Sequence, residues 1–134
     1  MGVILGLVLV GFIGGTPLRH AIQVLPACIA LMAVSRSASW GPAASLAIFI
    51  FWLVIMVLIW LHLFGVAHLI TGDFSKIEIV LTVIIGAWCL FGALLSFSEA
   101  STTKRNTSVI AFLSAAALQA VALWLSLRPY FAHR

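Results

Sequence analysis

The fold class is decided by residues 43–70, which read AASLAIFIFWLVIMVLIWLHLFGVAHLI and contain no Asp, Glu, Lys or Arg. An apolar run longer than about 18 residues is typical of a helix that crosses a membrane. This run has about 28 residues, or roughly 42 Å at 1.5 Å per residue, against a hydrocarbon core of about 30 Å. We therefore expect a transmembrane helix that tilts or projects beyond the bilayer.

Apolar runs on both sides of this stretch are separated by residues that end one helix and begin the next. In Gly14-Gly15-Thr16-Pro17, glycine suits the position after a helix end and proline suits the first helical position. Further on, Gly72 suits a C-terminal cap, and Ser75 with Glu78 matches a capping box. The predicted helices cover residues 2–13, 17–34, 43–70, 76–97 and 107–127. The sequence thus predicts an all-α, polytopic transmembrane helical bundle, with four long helices plus a short N-terminal helix, in a single integral membrane domain.

The first apolar run is the shortest of the five. Residues 2–13 would form a helix of only about 18 Å. We expect a short helix that crosses the membrane. Two alternatives are left open: a helix that enters the bilayer only partway, and a helix that begins before residue 2. The run has no basic start and no cleavage site of a signal peptide, so we expect it to remain in the mature chain. The spacings Gly2-x-x-x-Gly6 and Gly11-x-x-x-Gly15 permit close approach of neighbouring helices.

Composition indicates the environment of the chain. It is 64% hydrophobic and 7% charged, whereas soluble domains are about half apolar and about a quarter charged. The lipid bilayer is therefore the expected partner, and we expect a multi-pass protein of the cell membrane. The charge balance is +4, but basic residues stand singly or in pairs between apolar runs, so we expect no nucleic-acid binding. If all five runs cross the membrane, four basic residues lie on the side of the C-terminus and three on the other side: Arg19, Lys76, Arg128 and Arg134, against Arg36, Lys104 and Arg105. Because basic residues are enriched on the cytoplasmic side, this small excess weakly favours a cytoplasmic C-terminus.

Residues that could carry catalysis are few and scattered. The acids Asp73, Glu78 and Glu99 fall in predicted turns or at helix ends, where capping and solvation explain them. Cys28 and Cys89 stand singly inside apolar runs and lack the spacing of a metal or redox pair. We therefore expect no catalytic residues, no metal site and no cofactor.

Three polar side chains inside the predicted helices form a possible intramembrane polar site: Gln23, His62 and Gln119. Buried amides usually bond across helix interfaces, and an ionisable group within a membrane is a candidate functional residue. His62 could be a hydrogen-bonded neutral imidazole, a proton-relay or ligand-binding group, or a metal or haem ligand. A haem would need two histidines on facing helices, and His62 and His68 lie on one predicted helix, so the haem alternative would need His20 as the partner of one of them.

Three functional classes follow from this pattern. The favoured hypothesis is an accessory or assembly subunit without catalytic machinery, which acts through helix–helix contacts with other membrane protein subunits or through self-association. The alternative is a small homo-oligomeric transporter or channel with a pathway near Gln23, His62 and Gln119. A membrane-embedded enzyme or haem carrier is the third hypothesis.

Overall fold

The chain folds into helices and connecting turns throughout the part that the structure describes. A computed structural model describes residues 1–66, 74–102 and 104–128. In order, its helices are α1 (Gly2–Ile13), α2 (Pro17–Ser35), α3 (Gly41–Leu63), α4 (Lys76–Ala100) and α5 (Arg105–Ser126). The last four are long and apolar enough to cross a membrane, and α1 is a shorter apolar helix. The predicted all-α class, with four long helices and a short first one, is confirmed.

Successive helices run antiparallel, so the bundle has two distinct ends. The Pro17 end holds the starts of α2 and α4 and the ends of α1, α3 and α5. The Trp40 end holds the starts of α3 and α5 and the ends of α2 and α4. In cross-section α3 packs against α2, α4 and α5, while α1 packs against α2 and α4.

The short helix α1 lies along only part of α4, through its glycines. A Cβ added at Gly2 would lie 2.6 Å from the Trp88 ring, and one at Gly6 would lie 2.5 Å from Cγ1 of Ile85. The two helices therefore approach closely at glycine, as the sequence predicted. Beyond Trp88, α4 continues to Ala100 for about 12 residues, or roughly 18 Å. Helix α1 thus covers the half of α4 that faces the Pro17 end.

Helix α3 ends at Leu63, earlier than the predicted boundary at Ile70. The described turn contains Gly65 with a φ of 71°, its N–H donates to the His62 carbonyl, and the N–H of Val66 donates to the Leu61 carbonyl. These two bonds form a Schellman motif, which stops a helix where glycine adopts the left-handed conformation. Helix α3 therefore has 23 residues, or roughly 34 Å. Residues 67–70, and Gly72 as a predicted cap, lie outside the described residues.

The start of α4 follows the prediction. Ser75 Oγ accepts a hydrogen bond from the Glu78 N–H at 3.3 Å, and the Ser75 N–H donates to Glu78 Oε2 at 2.8 Å. This reciprocal pair satisfies two backbone donors that a helix start leaves open. The capping box is therefore confirmed. It sets the first residue of α4, which lies at the Pro17 end.

Candidate functional site

The two predicted glutamines lie together at the interface of α2 and α5. Their side chains are buried, with exposed fractions of 3% for Gln23 and 0% for Gln119. Gln119 Nε2 donates to the Gln23 carbonyl at 3.0 Å, and Gln23 Nε2 donates to Ser126 Oγ at 2.8 Å. Ser126 Oγ in turn donates to the Leu123 carbonyl at 2.7 Å. Gln23, Gln119 and Ser126, called the glutamine network below, connect α2 with α5.

The glutamine network lies beside the proline inside α2. Pro26 has no N–H, so the carbonyl of Ile22 lacks its usual helical donor. The next carbonyl along the chain, that of Gln23, receives the amide of Gln119. Neighbouring helices commonly supply such donors where proline interrupts the backbone bonds of a membrane helix. Gln119 therefore bonds to α2 one residue beyond the carbonyl that Pro26 leaves without its helical donor.

One atom of the glutamine network has no bond within the described residues. Gln119 Oε1 is buried and has no hydrogen-bond partner there. Leaving a buried polar atom unsatisfied costs on the order of 1–3 kcal/mol. Trp52 Nε1, in the middle of α3, is likewise buried without a hydrogen-bond partner among the described residues. The oxygen of Gln119 is thus an acceptor that a water molecule or the N–H or O–H group of a ligand could use.

His62 lies near the Pro17 end, in different surroundings from the glutamines. Its ring makes an edge contact with Phe74, with centroids 6.3 Å apart and planes at 62°. Neither bond that joins Gln23 and Gln119 to their partners involves His62. Since α3 ends at Leu63, His62 is about ten residues, or roughly 15 Å, from the helix centre. That distance corresponds to the surface of a hydrocarbon core about 30 Å thick, whereas the longer predicted helix placed His62 well inside.

His20 lies at the Pro17 end, where α1, α2 and α4 meet. Its Nδ1 donates to the Thr16 carbonyl at 3.1 Å, and its ring packs against Gly11. Because a carbonyl only accepts, this bond places the proton of the neutral imidazole on Nδ1 and leaves Nε2 unprotonated. The haem hypothesis paired His20 with His62 or with His68, and His68 lies outside the described residues. Within residues 1–66, 74–102 and 104–128, no group of three or more His, Cys, Asp or Glu side chains could hold a metal ion.

Sequence reasoning missed two hydroxyl partners inside the bundle. Ser126 accepts from Gln23, and Thr82 on α4 accepts from Trp60 Nε1 of α3 at 3.1 Å. Thr82 Oγ1 also donates to the Ile79 carbonyl at 2.7 Å. Single Ser and Thr residues in apolar helices often bond their own backbone, so their spacing alone does not reveal a partner on another helix.

We expect the glutamine network to stabilise the bundle measurably. Replacing Ser126→Ala or Gln119→Leu removes one hydrogen bond between α2 and α5, and such bonds contribute on average about 0.6 and up to about 1.7 kcal/mol in membrane proteins. Ser114→Ala is the matched control, because Ser114 is on the same helix but exposed. Denaturant titration in detergent micelles, followed by circular dichroism, measures the free energy of unfolding. Equal stability of the Ser126→Ala and Ser114→Ala variants would contradict the stabilising role.

The structure is therefore a helical bundle in which hydrogen bonds of Gln23, Thr82 and Gln119 connect helices of the same chain. Comparison of the chain with protein-family models, with curated proteins and with solved structures finds no match.

Proposed function

We propose that this chain is a multi-pass membrane protein in which α2 to α5 cross the bilayer, and that it acts without catalytic machinery as an accessory or assembly subunit of a membrane complex. The observation that carries the proposal is the poor burial of α5. In the most apolar stretch of α5, 11% of the residues are buried, against 28%, 33% and 28% in α2, α3 and α4. Most of α5 is therefore available to a neighbouring protein.

The buried side of α5 is narrow, and both of its polar side chains bond to residues of the same chain, although Gln119 Oε1 has no partner among the described residues. Its buried residues are Gln119, Ala122 and Ser126. Gln119 and Ser126 belong to the glutamine network, which joins α5 to α2. Groups used in this way hold helices together, whereas a transport pathway needs polar groups that face a shared aqueous space. This use of the glutamines supports the subunit over the transporter.

The opposite side of α5 is suited to helix contacts. Its outer face consists of Leu113, Ala117, Ala120, Val121 and Trp124, all of them exposed. Lipid provides no hydrophobic force that drives helices together, so association in membranes depends on close packing around small residues. The two alanines lie between larger side chains and permit such close approach. The outer face of α5 is therefore the surface that we assign to a partner subunit.

The proposal predicts a stoichiometric partner. The protein, with a C-terminal tag, is purified from its native membranes in mild detergent, and its mass and co-purifying proteins are determined together. We expect a heteromeric complex that is lost in the Ala117→Trp variant, because the large ring blocks close packing on the outer face of α5. The matched control is Ala87→Trp, since Ala87 is also exposed but lies on α4, and this variant should retain the partner.

Other outcomes of this purification contradict the subunit proposal. A monomer without a partner would remove its basis. A homo-oligomer alone would favour the transporter or channel, and liposome flux with the His62→Ala variant would then be the next test. Loss of the partner in both tryptophan variants would contradict the assignment of the outer face of α5.

A further inference from the structure

The bundle is closed at one end between α2 and α5 and open at the other. Near the Pro17 end the glutamine network joins these two helices. Towards the Trp40 end they separate and leave a groove of about 460 Å³, with α3 as its floor. Six of the residues that line it are Pro26, Ala30, Ala44, Ala111, Ser114 and Ala115. We call this cavity the α2–α5 groove.

The length and lining of the α2–α5 groove fit one lipid chain. Along α5 it extends from Leu118 to Thr107, which is about 11 residues or roughly 16 Å. One leaflet contributes about half of the roughly 30 Å hydrocarbon core, so the groove is as deep as one leaflet. Alanine side chains on all three helices create its width, and no charged residue lines it. An acyl chain fits this space in length and in chemistry.

Two basic residues stand at the start of α5, next to the outer mouth of the groove. Thr107 lines it two residues after Arg105, the first residue of α5, and three after Lys104, the N-cap of this helix. Both basic side chains are exposed, and the first turn of α5 contains no acidic residue. The open N–H groups and the dipole of a helix start also favour an anion. Trp40 lines the same mouth, at the level where tryptophan is enriched in membrane proteins.

A second cavity at the Trp40 end provides an internal contrast. It has a volume of about 360 Å³, lies between α1, α2, α3 and α4, and is lined by Glu99. A carboxylate at this position opposes an anionic headgroup, since like charges in proximity are unfavourable. The two cavities therefore differ in the sign of the charge beside them, although both are mainly apolar.

We propose that the α2–α5 groove binds one anionic phospholipid of the leaflet at the Trp40 end. One acyl chain fills the groove, and the phosphate lies at the start of α5 beside Lys104 and Arg105. The site does not depend on the subunit role, because it lies in the space between α2 and α5 and not on the outer face of α5. Binding requires both parts of the lipid: the acyl chain fills the groove, and the negatively charged phosphate lies at the mouth.

The test compares two lipids with the same acyl chains, one with an anionic and one with a zwitterionic headgroup. Delipidated protein in detergent is titrated with phosphatidylglycerol or with phosphatidylcholine of identical acyl chains, and retained lipid is counted by native mass spectrometry. We expect one phosphatidylglycerol molecule to be retained in preference to phosphatidylcholine. The double variant K104Q/R105Q should lower this preference at least about fivefold, the factor that one basic residue contributes at an anionic surface. The matched control K76Q/R128Q neutralises two basic residues at the Pro17 end and should keep the preference.

A groove variant tests the contribution of the acyl chain. Ala111→Leu fills part of the groove and should reduce retention of both lipids. Equal retention of the two lipids by the unmodified protein would overturn the proposal, and so would an equal loss in the two charge variants. If inorganic phosphate at the same concentration as the lipid displaced phosphatidylglycerol, the lipid would be bound by charge alone. That result would also overturn the proposal. Should Ala111→Leu fail to fold, the exposed charge variants still decide the result.

Discussion

Gly41→Ala is expected to be among the most destabilising single substitutions in this chain, because the added methyl group would meet backbone atoms. A Cβ at Gly41 would lie 2.9 Å from the backbone nitrogen of Val34 and 3.1 Å from the backbone carbon of Ala33. These atoms belong to α2 and cannot turn away as a side chain can. Overpacking of this kind costs about 1–3 kcal/mol. We expect a loss of that size in the free energy of unfolding, measured by denaturant titration in detergent micelles.

Gly92→Ala is the matched control for this experiment. A Cβ at Gly92 would lie as close as 2.5 Å to another atom, but that atom is the far end of the partly buried Phe49 ring. The ring can turn aside, and alanine is intrinsically a better helix former than glycine by about 1 kcal/mol. We therefore expect little change or a slight gain in stability. Equal losses in the two variants would show that the close approach of α2 and α3 at Gly41 is not the decisive contact.

Gly6→Leu is expected to separate α1 from the remainder of the bundle. The leucine side chain would overlap Ile85, which is 1% exposed, and the close approach at Gly2 would be lost with it. Cys89 provides a built-in reporter, since it is 0% exposed and lies one helical turn from Ile85 on the same face of α4. In a Cys28→Ser background the chain has one thiol. Its rate of labelling by a small thiol reagent should rise at least about tenfold, the factor that corresponds to 1.4 kcal/mol.

The control for this experiment adds bulk on the other side of α1. Leu5 is 59% exposed, so Leu5→Phe should leave the labelling rate of Cys89 unchanged. A protected Cys89 in the Gly6→Leu variant would show that α1 can shift along α4 without opening the bundle. Partner recovery from the same variant, compared with its labelling rate, would separate the role of α1 in folding from any role in assembly.

The fold could be predicted from the sequence to the extent that local rules determine it. The start of a helix depends on residues that are close in sequence. The starts of α2 at Pro17 and of α4 at the capping box of Ser75 and Glu78 were therefore predicted correctly. The end of α3 was predicted too late, because Gly65 stands among apolar residues and glycine is frequent within membrane helices. Because the turn at Gly65 ends α3 at Leu63, His62 lies at the end of the helix and not in its interior, as the longer predicted helix implied.

The candidate site was less predictable than the helices. Amphipathic periodicity normally indicates which face of a helix is inside, but a helix in lipid is apolar on all sides. Gln23 and Gln119 can therefore be predicted as amides inside helices, but their bonds to each other's helix cannot. Ser126, the partner of Gln23, and the grooves at the Trp40 end depend on which helices are neighbours. The subunit role stays a prediction for the same reason, since the partner that would settle it is another chain.

The two halves of α4 differ in what covers them. Among the described residues α1 begins beside Trp88, whereas α4 continues to Ala100. Beyond Trp88, α4 packs against α3, where Gly92 lies against the Phe49 ring, while its other large apolar side chains are exposed: Phe91, Leu94, Leu95 and Phe97. This half of α4 therefore depends chiefly on α3 for its position in the bundle.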